Sequence, residues 1–124
     1  MSPTELTGEQ LVETIRQSAL DKKAEDFIVA DMRSIHGVAD WFIVCQGDNV
    51  MHTRAIMEGI VGETKKNNTP PWYSEGVEEA RWILIDYTDV VVHIMVPEVR
   101  DYYRIEMFWN ELKESAAEEN PAGE

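Results

Sequence analysis

An α/β fold, a single domain with one mixed sheet of about five strands flanked by helices, follows from two features of the sequence. Stripes of apolar residues at helical spacing alternate with short runs rich in β-branched and aromatic residues, in the order αββα(β)ββα. The tract "ILIDYTDVVVHIMV" then reads as two strands joined at a tight turn, with side chains alternating between two faces.

A first helix is predicted over residues 7–23. Thr7 and Gln10 have capping-box spacing, and Leu11, Val12, Ile15 and Ala19 fall on one stripe. Strands follow over 27–32 ("FIVADM") and 41–46 ("WFIVCQ"). Asp48 or Asn49 can cap a helix over 50–67, whose stripe is Ile56, Met57, Ile60 and Val61. Pro70 and Pro71 lack the amide a ladder needs, so "NNTPPWYSEG" is read as loop, with Trp72 and Tyr73 in a short edge strand. Strands over 81–87 and 90–96 and a last helix over 97–113 complete the domain, 1–113. The stripe of that helix is Val99, Tyr102 or Tyr103, Glu106 or Phe108, Trp109 and Leu112. The acidic stretch 114–124, "ESAAEENPAGE", is expected to be a disordered tail.

Composition narrows the possible partners. The chain has 124 residues, 44% of them hydrophobic, and 11 Lys and Arg against 24 Asp and Glu, a formal charge of −13. Phosphate binding requires cationic side chains, so direct nucleic-acid binding is not expected, and a contact near RNA would fall on a basic protein. One cysteine fits a reducing compartment. The N-terminus has neither a basic n-region nor an apolar h-region, and no apolar run is long enough for a membrane span, so a cytoplasmic protein without membrane partners is expected.

With Thr88-Asp89 as the hairpin loop, Tyr87 pairs with Val90, Ile85 with Val92 and Ile83 with Ile94. That face is aliphatic apart from Tyr87 and is expected to be buried under helices. The opposite face carries Trp82, Leu84 and Asp86 beside Val91, His93 and Met95, with His93 opposite Leu84 and diagonal to Asp86. Three readings of His93 stand open: a half-buried ring bonded to Asp86 or a backbone carbonyl, part of a partner-binding face with Trp82, or a general base or metal ligand. Arg100, Tyr103 and Glu106 recur at spacing three, either as a structural ion pair beside a ring or as an extension of that face.

Motifs for metal, nucleotide and redox chemistry are absent, and no cofactor is implied. Asp86 and Asp89 lie three apart across a turn, a spacing more usual for a solvated turn than for a cation site. Cys45, with His52 nearby in sequence, reads as a small buried hydrophobe.

"ADWFIVCQGDNVMHTRAI", "SEGVEEARWILIDYTDVVVHIMVPEVRDYY" and "IEMFW" together resemble the ribosomal silencing factor, or Iojap-like, family. The resemblance implies a nucleotidyltransferase-like topology without the catalytic carboxylates, and a non-enzymatic role. It further implies binding to the basic large-subunit ribosomal protein numbered fourteen, a block to subunit joining, and repression of translation when nutrients are short. On this resemblance Trp82, Asp86, Tyr87, Asp89, His93, Arg100 and Tyr103 are the expected partner-binding residues, and Glu75-Gly76 matches a further motif. Where the family usually has glycine, this chain has Thr88. A metal-dependent nucleotidyl or phosphoryl transferase using Asp86, Asp89 and His93 is the competing reading. An exposed aromatic sheet face would also permit a homodimer.

Overall fold

The hairpin alternation organises the whole domain, as seen in a computed structural model that describes residues 5–119, with side chains through 115. Helix α1 (Gly8–Asp21) precedes strands β1 (Glu25–Asp31) and β2 (Trp41–Gln46). Helix α2 (Val50–Lys66) leads to β3 (Tyr73–Glu75), β4 (Trp82–Asp86) and β5 (Val90–Met95), followed by α3 (Pro97–Tyr103) and α4 (Ile105–Glu119). Among these residues the strands form one five-stranded sheet, ordered β1-β2-β5-β4-β3. β2 and β5 are parallel and the other neighbours antiparallel, so the sheet is mixed as expected.

The starts of α1 and α2 are explained by their caps. The Gln10 side-chain oxygen accepts from the Thr7 amide at 3.2 Å, and Asn49, rather than Asp48, caps α2 by accepting from the His52 amide at 3.0 Å. Leu11, Ile15 and Ala19 of α1 and Ile56 and Ile60 of α2 are buried against Ile43, Ile83, Ile85, Val92 and Ile94 of the sheet. Each fully buried aliphatic side chain contributes about 1.5–3 kcal/mol, which holds the helices on this face.

The hairpin register agrees with the sequence reading: Ile83 lies opposite Ile94, Leu84 opposite His93 and Ile85 opposite Val92. The turn residue Thr88 takes φ +74°, and its amide donates to the Asp86 carboxylate at 2.7 Å. Gly76 has φ +78°, and a Cβ there would overlap the carbonyl oxygen of Trp82, so only glycine lets the β3 exit pass β4 so closely.

Two expectations need correction at the C-terminal end. The helix predicted over 97–113 is two helices, because Arg104 adopts the left-handed conformation, φ 46° and ψ 49°, and ends α3. The chain then restarts as α4 with Trp109 buried, while Tyr102 and Phe108 of the expected stripe are 81% and 56% exposed. Further on, α4 continues to Glu119 through good helix formers, past the start expected for a disordered tail; residues 120–124 of that tail lie outside the described residues.

Replacing Thr88 by glycine removes the steric cost of a β-branched residue at positive φ, and is expected to raise unfolding stability by about 1 kcal/mol. Gly76→Ala should lower it by roughly 2 kcal/mol or more. Urea unfolding of both variants checks this, and a Gly76→Ala protein as stable as the parent contradicts the close-packing account.

Candidate functional site

Strand alternation gives the face of β4 and β5 away from α1 and α2 to Trp82, Leu84 and Asp86, with Val91, His93 and Met95 across the hairpin. The antiparallel pairing of β3 with β4 sets Tyr73 beside Asp86 and Glu75 beside Leu84, extending that face to the sheet edge. Tyr73 is 47% exposed. Its phenol is held above its ordinary pKa by the adjacent Glu75 carboxylate.

At the centre, the Trp82 indole N–H donates to His93 Nδ1 at 2.9 Å. The partner of His93 is therefore Trp82, not Asp86 or a backbone carbonyl. Asp86 instead spends its carboxylate on the Thr88 amide. An imidazole that accepts at Nδ1 is neutral and carries its proton on Nε2. Burial alone pushes the His93 pKa from 6.5 down to about 4.

Aromatic contacts from the C-terminal helices cover part of this pair. The Tyr103 ring lies 4.9 Å from that of Trp82, and the Trp109 ring lies 5.6 Å from His93 and 4.9 Å from Phe42. Trp82, Leu84, Asp86 and His93 remain half-buried, so the rings are flanked rather than sealed. Tyr102 and Tyr103 stay open to solvent beside them.

The other expected site residues divide. Asp89 is exposed at the hairpin tip. Tyr87, by contrast, lies on the helix-covered face, 7% exposed, with its hydroxyl 2.8 Å from Thr64 Oγ1. Its alternation with Ile85 places it there. Arg100 is 6% exposed and its Nε donates to Glu106 at 3.2 Å, so it joins α3 to α4 across the Arg104 break. Neither Tyr87 nor Arg100 presents surface to a partner in this conformation. Sequence reasoning placed Leu84 on this face without counting it among the partner-binding residues, and left out Tyr73, which the β3–β4 pairing adds.

Alternative chemistry finds little support in the geometry. Cys45 is fully buried and its thiol is pushed up to about 12, while His52 is held between the Asp48 amide and the Lys22 carbonyl at 2.9 and 2.8 Å. Among the described residues, no three His, Cys, Asp or Glu gather as a metal-ligand set. No helix of the described residues is long and apolar enough to cross a membrane.

The sequence model of the family described as "Ribosomal silencing factor during starvation" matches residues 5–124. The chain belongs to the ribosomal silencing factor family. The ribosomal silencing factor of Bacillus subtilis strain 168 is 40% identical over 91 residues, covering 73% of this chain and 77% of that protein. A crystal structure of a Chromobacterium violaceum protein superposes with a TM-score of 0.80 at 32% identity, covering 86% of this chain and 88% of that one. The mouse protein named for mitochondrial assembly of the ribosomal large subunit is 28% identical, covering 91% of this chain and 52% of that protein.

His93 gives this silencing factor a defined acid response. Its folded pKa lies below the unfolded value, so the neutral ring's stabilisation is complete above about pH 6.5 and is lost as pH falls through about 4. Relative to a folded His93→Gln variant, the parent should lose roughly 1–3 kcal/mol across that window. Urea titrations at both ends measure the difference, and parallel pH profiles would contradict it.

Proposed function

We propose that this chain silences ribosomes by docking the Trp82–His93 face of its sheet on a basic protein of the large ribosomal subunit, the one numbered fourteen. The docked domain then blocks the approach of the small subunit. Family membership supplies the silencing role, and the large-subunit link draws on the name of the mouse relative.

The observation that carries the docking reading is Trp82, half-buried and packed on exposed Tyr103, with the Glu75 carboxylate across the same groove and Asp86 at the far end of the same strand face. Aromatic side chains held by their neighbours make strong interface anchors at small entropic cost. The carboxylates of this face select a cationic partner, and the charge of −13 keeps rRNA phosphates at a distance. Occupancy is sufficient for the effect: a domain seated where the other subunit must land excludes it by volume, without bond making or breaking. The compartment of such a role is the cytoplasm, where subunits join, and repression when nutrients are short follows from the family's description.

Tyr103→Ala and Trp82→Ala should each weaken binding to purified large subunits, Trp82→Ala by about 2 kcal/mol or more, near thirtyfold. Asp86→Lys should weaken it further at low salt than at high salt, because screening removes the repulsion it introduces. Co-sedimentation and a subunit-joining assay provide the readouts, with circular dichroism to verify folding. Folded variants that block joining as well as the parent would refute the docking face.

A further inference from the structure

Between β3 and β4 the candidate face holds a groove of about 310 Å³ lined by Glu75, Gly76, Trp82 and Leu84. We infer that this groove receives a single arginine side chain of the basic partner; the inference rests on the docking reading above and specifies its chemistry.

The walls match an arginine in two parts. Leu84 and the Trp82 indole offer apolar and aromatic surface to the methylene stem and the planar guanidinium, which is weakly hydrated and stacks on aromatic rings. Glu75 supplies the one carboxylate of the lining, and its side chain is exposed. Among the described residues no lysine or arginine pairs with it, although the cations nearby are engaged. Arg81 lies 3.8 Å from Glu98, and Arg54 donates to the carbonyls of Val77 and Glu78. Glu78 and Glu79 line a neighbouring depression that shares Glu75 and Gly76, adding negative potential at this end of the sheet. Gly76 lets the chain after Glu75 lie directly against the Trp82 backbone, which sets the Glu75 and Trp82 walls of the groove close together.

Other ligand classes fit less well. An anion would meet the Glu75 carboxylate with no cation in the lining, and a divalent metal would find that single carboxylate ligand against apolar walls. Tyr73 stands two residues before Glu75 on the same face of β3, so its ring borders the carboxylate without neutralising it, and both Glu75 oxygens can meet a guanidinium in a bidentate contact.

Two measurements test this. The first is the affinity of the full chain for purified large subunits at two salt concentrations, comparing the parent with Glu75→Gln and with Glu58→Gln on the helical side as control. Glu75→Gln should weaken binding about fivefold at low salt and flatten the salt dependence, with Glu58→Gln unchanged. A parent that binds while Glu75→Gln binds within twofold of it overturns the groove and leaves the docking face standing. The second uses the peptide acetyl-Gly-Arg-Gly-amide and its citrulline counterpart, monitored by NMR at the Glu75 carboxyl and the Trp82 indole. Saturable shifts with arginine and none with citrulline are expected, and equal responses overturn the proposal. If the parent fails to bind large subunits, the proposed function falls, and the peptide pair alone decides the groove.

Discussion

The hydrogen bond from the Trp82 indole to His93 Nδ1 is the constraint around which the second face of the sheet is built. Both groups sit on a hairpin whose other face is wholly committed to the core, so strand alternation leaves them no alternative environment. Two polar nitrogens in a largely apolar setting satisfy one another, whereas either one left unpaired there would lose roughly 1–3 kcal/mol. The bond fixes both ring planes, and Tyr103 and Trp109 then pack against fixed surfaces. Because Nδ1 must accept, the imidazole stays neutral, which agrees with its lowered pKa.

The C-terminal helices complete the face without closing it. The left-handed Arg104 turns the chain so that Trp109 descends on Phe42 and His93 while Tyr102 and Tyr103 remain on the rim. Buried Arg100 joins the two helices through Glu106 across that break. Among the described residues its Nη1 and the second Glu106 oxygen find no hydrogen-bond partner, so the junction is less completely satisfied than the indole–imidazole pair. The result is a rim of exposed rings around a polar pair, bordered by acidic side chains. Aromatic and acidic groups together are the surface that the proposed docking on a cationic protein requires.

The elements and the hairpin register were legible because period-two and period-3.6 patterns are written in the aliphatic residues, and burial of those residues determines which way each element faces. Thr7, Gln10 and Asn49 signalled helix starts for the same local reason, that a short polar side chain must satisfy free amides. What could not be read was contact across the layers. His93 lay near Asp86 in the diagonal reading, yet the indole reached it first, and nothing in strand spacing reports the direction of a ring nitrogen. The break at Arg104 had no glycine to announce it. Tyr87 differs from these: its alternation with Ile85 and Val92 already assigned it to the core, and the family motif drew it into the site against that pattern.

The account turns on which side of the sheet meets the ribosome, and hydroxyl-radical footprinting of the silencing factor alone and with purified large subunits measures that directly. Protection is expected at Tyr73, Trp82 and Tyr103, with Leu20 and Met51 on the opposite side as reactive as in the free protein. Protection confined to the α1 and α2 surface, with the Trp82 face still open to solvent, would contradict it.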